Sequence, residues 1–254
     1  MPWIDLHCHI LPAIDDGAAD RAEALAMARL AVADGITTMV ATPHQLGSFT
    51  YHGEQIQAQV EAFQRVLDQE GVALRILPGA EVRIEPGLVE RELVTRLKNG
   101  ELLTLAGRGR HVLMDLAERE YVPLDRLLAE LAAGGMTAIL AHPERNREIL
   151  ARPELLQPLV EAGCLLQMTA GSLLGEFGAE VQQLAERLLR QAAVQLVASD
   201  AHHIHFRRPL LAEAFARVTQ IIGVEAAQAV CQNNPVSIIA GRAVVSFARA
   251  ARSS

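Results

Sequence analysis

Seven short apolar runs, each ended by Gly, Pro or a polar residue and followed by a longer helical segment, constrain this chain more than anything else in it. They are WIDLH (3–7), ITTMVAT (36–42), LRILPGAE (74–81), HVLMDLA (111–117), TAILAHP (137–143), CLLQMTA (164–170) and VQLVASD (194–200). Their hydrophobicity is continuous rather than alternating, as in strands covered on both faces in a parallel sheet. Helical periodicity fills the intervals at about 20–34, 54–70, 86–98, 123–134, 152–163 and 178–192, with two or three more helices after 209. The first carries Asp20 as N-cap, Glu23 three residues on and Gly35 as its stop. Such alternation predicts an α/β fold, either a (β/α) barrel or a doubly wound sheet. No composition shift, Gly/Ser linker or charge block divides the 254 residues, so one domain is expected.

In parallel β/α folds the reactive side chains gather at the C-terminal ends of the strands. The polar residues of this chain follow that rule. The first run ends at His7 and His9, with Asp15 and Asp16 soon after; the second at His44; the third at Glu81. The fourth carries Asp115, the fifth precedes His142, Glu144 and Arg145, and the seventh ends at Asp200 and His202. The sixth brings only Thr169 and Ser172. An isolated His-x-His pair is more often a packing accident than a metal site, and a lone strand-end acid is usually solvated. Six runs delivering such residues to one rim is a different matter. Four carboxylates (Asp16, Glu81, Asp115, Asp200) and five imidazoles (His7, His9, His44, His142, His202) exceed the needs of one ion. They suit two or three divalent cations with bridging carboxylates, and N/O ligation without thiolate points to Mn²⁺, Fe²⁺ or Zn²⁺. Cys8 falls on the opposite strand face from His7 and His9, where core packing is its expected role. His52 in a loop and His111 at a strand start read as structural.

The bulk properties narrow the partners. A net charge of −7 argues against nucleic acid, although bound cations can still present an anionic substrate with local positive charge. Cys8, Cys164 and Cys231 are widely spaced and odd in number, which supports neither a disulfide framework nor a zinc ribbon. No basic leader with an apolar run opens the chain, and no window reaches the ~18 apolar residues of a membrane span. A reduced, cytoplasmic compartment is expected. The cysteine-phosphatase arrangement, Cys with Arg six positions later, is absent: Ile14, Ala170 and Ser237 occupy those positions. The glycines of GRGRH (107–111) precede a strand rather than follow one, so they form no dinucleotide loop.

Taken in order, HCHILPAIDDGA, GITTMVATPH, GAEVRI, LAHPERN and SDAHH resemble the polymerase-and-histidinol-phosphatase (PHP) superfamily. They are closer still to its bacterial protein-tyrosine phosphatase branch, linked to capsule and exopolysaccharide synthesis. The resemblance spans about residues 4–240 and implies a distorted seven-stranded (β/α)7 barrel, TIM-barrel-like, with a trinuclear and commonly manganese-dependent site. It would place His7, His9, Glu81 and Asp200 on one metal. Glu81 would bridge to a second ion held also by Asp115 and His142, and Asp16, His44 and His202 would hold the third. Arg145 and Arg207 would bind phosphate. Two positions depart from the family pattern: Asp115 stands where Glu is usual, and Gln45 follows His44 where a second His is common. Arg208 adjoins Arg207, leaving a one-residue choice.

The resemblance implies hydrolysis of phosphotyrosine in proteins. Its expected substrate is a tyrosine autokinase of capsule or exopolysaccharide synthesis, which would connect the enzyme to the membrane without inserting it there. A phenolic leaving group of pKa about 10 leans little on a general acid, a role for which His203 is one candidate. Two other readings stand beside this one: a small-molecule phosphatase of the histidinol-phosphate type, and a non-catalytic metal-bound regulatory module. Oligomeric state is left open.

Overall fold

In the computed structural model, which describes residues 2–244, the seven apolar runs become nine strands, because two of the runs change sheet partway. The strands are β1 (Trp3–Cys8), β2 (Ile36–Ala41), β3 (His44–Gln45), β4 (Arg75–Pro78), β5 (Glu81–Ile84), β6 (His111–Leu116), β7 (Thr137–Ala141), β8 (Leu165–Thr169) and β9 (Leu196–Ala198). They form two sheets, β1-β2-β4 and β3-β5-β6-β7-β8-β9, parallel at every pairing. The α/β class and the parallel pairing match the sequence reading, whereas seven uninterrupted strands do not appear. The run 74–81 is two strands, parted at Gly79-Ala80. There the chain passes so close to β2 that a Cβ on Gly79 would lie 2.7 Å from Val40 Cγ1, and only glycine fits. The run 36–42 likewise stops before Pro43, which has no N–H for a ladder, and resumes as β3 beside β5. At the far edges, Asp200 N–H donates to the His7 carbonyl and His9 N–H to the Ala201 carbonyl, each at 2.8 Å. The end of β1 thus meets the segment after β9.

Eleven α-helices lie among the described residues: α1 (Arg21–Asp34), α2 (Gly53–Gln69), α3 (Glu90–Lys98), α4 (Asp125–Ala133), α5 (Arg147–Ala151), α6 (Leu156–Glu161), α7 (Ala170–Leu173), α8 (Ala179–Arg190), α9 (Ala212–Ile222), α10 (Val224–Gln228) and α11 (Asn234–Ile239). Helix α1 is capped as its sequence demands. Asp20 accepts from Glu23 N–H at 2.9 Å, and Gly35 closes the helix in the left-handed region at φ 96°. The Glu23 carboxylate reaches back to Ala19 N–H, one residue short of a full capping box. Two helix expectations need correction. The segment before Glu90 is a turn through Gly87, at φ 86°, so α3 starts later than 86. The helix expected over 152–163 is broken where Arg152 leaves the helical region and Pro153 starts a 3-10 turn before α6. No helix among the described residues is long and apolar enough to cross a membrane. The expected domain of 1–254 includes residue 1 and residues 245–254, which lie outside the described residues.

The buried side chains fall into two layers. The larger fills the space between strands and helices and includes Cys8, Met39, Val82, Met114, Leu140 and Leu166. The smaller lies between the strands themselves: Ile4, Leu6, Val40, Leu77, Leu113, Ile139, Leu165 and Leu196, closed below by Leu105 and Ile238. Each such buried aliphatic side chain contributes on the order of 1.5–3 kcal/mol. Along β1 the inward face changes after Leu6, so that His7 and His9 face the centre while Cys8 joins the outer layer. A register irregularity between Asp5 and Cys8 accompanies that change, the way a bulge re-aims side chains beside a site.

Candidate metal centre

All nine residues expected as ligands come together above the inner apolar layer. Their ligand atoms form four groups, each within 4.8 Å: His9, Asp16, His44 and His202; His7, Glu81 and His142; His7, His9 and Asp200; and His44, Glu81 and Asp115. The partition differs from the expected one: His9 joins the Asp16 group, His7 joins Glu81 and His142, Asp115 groups with His44 and Glu81 rather than with His142, and Glu81 is not in the group of His7, His9 and Asp200.

Glu81 is the hub. Its Oε2 lies 3.4 Å from His7 Nε2, 3.3 Å from His9 Nε2 and 3.0 Å from His44 Nδ1, while Oε1 accepts from His142 Nε2 at 2.8 Å. The His44 contact is close but misaligned for a hydrogen bond, and His44 Nδ1 has no partner. Buried Asp200 turns Oδ1 toward His7 Nε2 at 3.2 Å and His9 Nε2 at 3.6 Å, again without a hydrogen bond. Buried polar atoms aimed at one another but left unbonded are what a bound cation satisfies. Asp16, 57% exposed, closes the outer side, with Oδ1 3.3 Å from His44 Nε2 and 3.5 Å from His202 Nε2.

Three of the five rings are held by partners on their far nitrogens, which fixes the tautomer that leaves Nε2 pointing inward. His7 Nδ1 donates to Gln167 Oε1 at 2.7 Å, His9 Nδ1 to Asp15 Oδ2 at 2.7 Å, and His202 Nδ1 to the Asp200 carbonyl at 3.0 Å. Asp15 also accepts from the Gly17 and His44 N–H groups. Of the adjacent pair, Asp16 thus faces the ligand group and Asp15 orients a ring. His142 and Asp200 take positive φ, 33° and 54°, a strain on the order of 1–3 kcal/mol each, of the kind that collects at functional sites.

The electrostatics favour cations. Burial alone would depress His9 and His44, yet Asp15 and Glu81 push His9 up to about 10, and Asp16 and Glu81 push His44 to about 9. His142 falls to about 4 through burial and the Arg145 charge. Asp200 stays well below the carboxylate range despite burial, because His7 and Arg207 hold it charged.

Arginines ring the cluster. Arg145 and Arg207 both donate to Asp200 Oδ2, and Arg145 lies 4.5 Å above the Phe177 ring. Arg208 is exposed, so Arg207 is the member of the pair that reaches the site. Arg83, unremarked in the sequence, pairs with Asp115 Oδ2 at 2.9 Å, leaving Asp115 Oδ1 toward His142 at 3.9 Å. Burial and Glu81 push Asp115 up to about 7. Together with Asp16, His44, Glu81, His142 and His202, these side chains line a cavity of about 210 Å³.

Several sequence candidates lie elsewhere. His203 Nε2 lies 3.0 Å from Glu23 and its ring stacks on Phe206. His52 is exposed at the start of α2, and Ser172 donates to buried Glu144. Sequence reasoning misses Gln167, the lone amide inside the apolar run CLLQMTA, whose one local signal is its place two residues before Thr169 on the same strand face.

A family model described as "Capsular polysaccharide synthesis, CpsB/CapC" matches residues 3–240. The tyrosine-protein phosphatase YwqE of Bacillus subtilis is 39% identical over 225 residues, covering 87% of this chain and 86% of that one. The tyrosine-protein phosphatase CpsB of Streptococcus pneumoniae is 26% identical over 243 residues, covering 93% and 98%. A solved structure from work on YwqE and CpsB, described there as unique metal-dependent tyrosine phosphatases, superposes with TM-score 0.88 at 34% identity, covering 95% of this chain and 96% of the other.

Proposed function

The chain belongs to the CpsB/CapC family of capsular polysaccharide synthesis, and we propose that it is a metal-dependent protein-tyrosine phosphatase of the PHP type. One observation carries the reading: eight buried or half-buried His, Asp and Glu side chains and the exposed Asp16 converge at the strand ends, with two guanidinium groups sharing one carboxylate oxygen beside them. The unbonded Asp200 Oδ1 and His44 Nδ1 fit a site for cations. His7, His9, Asp16, His44, Glu81, Asp115, His142, Asp200 and His202 would hold up to three divalent ions, manganese in our reading, with iron or zinc as alternatives. Such ions supply positive charge against phosphoryl oxygens and lower the pKa of a water nucleophile.

The chain's own residues do the rest. Arg145 and Arg207 each present several N–H donors and line the cavity, so the forks that grip Asp200 can also grip equatorial phosphoryl oxygens. Asp200 and Phe177 keep Arg145 aimed before substrate arrives. Gln167 and Asp15 hold the His7 and His9 rings in the ligating tautomer. A phenolate of pKa about 10 leaves with little proton assistance, which agrees with the engagement of His203 by Glu23.

We further read the two sheets as one distorted (β/α)7 barrel in a single domain over 1–254, a reading supported by the backbone bonds between His7 and Asp200 and between His9 and Ala201. We place the protein in the cytoplasm, supported by its three free, buried cysteines. Its physiological substrate in our reading is a phosphotyrosyl protein, a tyrosine autokinase of capsule or exopolysaccharide synthesis. Turnover of a phosphotyrosyl peptide and of histidinol phosphate, measured side by side with Mn²⁺, tests the assignment. The peptide is expected to be preferred; preference for histidinol phosphate would establish the small-molecule alternative. No metal uptake and no turnover of either would leave a non-catalytic module.

A further inference from the structure

A second and larger cavity opens beside the metal centre. It measures about 1190 Å³ against about 210 Å³ for the ligand-lined one, and Arg145 and Glu118 line both. The smaller space suits a phosphate and the ring that bears it. The larger exceeds the ~300–1,000 Å³ typical of small-ligand sites, so it has room for more than the phosphorylated ring.

Its construction is graded. Leu150 of α5, Pro153, and Val181 and Leu184 of α8 form an apolar floor, and Phe177 forms the wall that carries Arg145. Arg147 and Arg187 stand exposed along the rim, so three arginines line the groove against Glu118 and Glu180, in a chain of net charge −7. Glu118 is engaged by Arg147 at 3.2 Å. The neighbouring cations Arg190 and Arg217 share Glu186, which leaves Arg187 without a carboxylate partner among the described residues. An unpaired cation over an apolar floor, continuous with the phosphate-binding arginine, defines the chemistry of an occupant.

We propose that this groove docks the polypeptide flanking the phosphotyrosine, with an apolar side chain on the Leu150–Leu184 floor and an acidic side chain at Arg187. The inference rests on the phosphatase reading above and extends it from the phosphate to the sequence around it. Electrostatic contacts of this kind set partner choice and weaken with salt.

The test compares three substrates with Mn²⁺: p-nitrophenyl phosphate, a phosphotyrosyl peptide flanked by Leu and Asp, and the same peptide with Lys for Asp. For the wild type, kcat/KM is expected to favour the acidic peptide over the lysine peptide, and the preference to shrink as salt rises. In Arg187→Glu the ratio of acidic-peptide to p-nitrophenyl phosphate kcat/KM should fall by about tenfold, mainly through KM, and the lysine peptide should recover the loss. A ratio unchanged within twofold, in a protein active on all three substrates, overturns the groove alone. A wild type inactive on all three overturns the phosphatase reading, and the groove with it.

Discussion

Strand β6 buries an ionisable side chain at each end, and the two ends behave in opposite ways. His111 opens the strand 1% exposed, with neither ring nitrogen bonded, and burial beside Arg110 lowers it to about 4. Asp115, two pleat repeats further on and on the same strand face, is about as deeply buried but faces Arg83, His142 and Glu81. One end holds a neutral ring tolerated by the core; the other holds a charge network that costs strain at His142 and Asp200. Burial of a polar group is therefore no mark of a site. What distinguishes the rim is convergence, with each buried group answered by another from a different strand.

The hardest blow to that contrast comes from removing a member of the convergent set. His7→Ala is expected to abolish phosphatase activity and lower the metal content, because Nε2 of His7 faces Glu81, His9 and Asp200 together. Arg145→Ala should retain the metal but lose on the order of 10²–10³ in turnover of p-nitrophenyl phosphate, the scale of losing one preorganised donor to the developing charge. Metal analysis alongside kinetics separates the two, and wild-type rates in both variants would mean the site lies elsewhere.

A smaller effect is expected one layer out. Gln167→Leu removes the acceptor that holds His7 Nδ1–H, so the ring can turn over or change tautomer. The expected loss is about 10–100-fold in metal affinity, read by titrating metal-stripped protein, with Gln167→Glu restoring most of it through its own carboxylate oxygen. Equal affinities for wild type and Gln167→Leu would show that the His7 ring is fixed by packing alone.

The sequence disclosed the rim better than its supports, for a physical reason. His7, Glu81, His142 and Asp200 stand at the ends of apolar runs, where a polar residue interrupts a pattern and a parallel fold gathers such interruptions at one edge. Gln167 sits inside a run, where one amide among CLLQMTA does not reveal that its acceptor meets a ring 160 residues away. Arg83 follows Glu81 by two residues, and only the pairing of β5 with β6, register Arg83 to Asp115, shows its use. That ion pair also gives the shorter Asp115 a fixed orientation. The division into two sheets was equally hidden, since the need for Gly79 arises from Val40, far away in the chain. Helix boundaries failed where local breakers, Gly87 and Pro153, acted inside otherwise periodic segments.

The quiet end of β6 supplies the mildest test. Burial holds His111 at about 4 in the folded chain against the ordinary imidazole value of about 6.5, so the unfolded chain takes up its proton first as the pH falls. Stability from neutral burial is complete above about pH 6.5 and is lost progressively as the pH drops toward 4. At ~1.36 kcal/mol per unit the whole difference is about 3 kcal/mol. His111→Leu replaces the ring with an apolar side chain that does not titrate, so denaturation curves of variant and wild type should diverge across that window and run parallel above it. The activity of the variant at neutral pH should stay close to wild type, because His111 touches none of the ligand groups. Curves parallel down to pH 4 would mean that the ring takes up its proton as readily folded as unfolded, and the contrast between the two ends of β6 would fall with it.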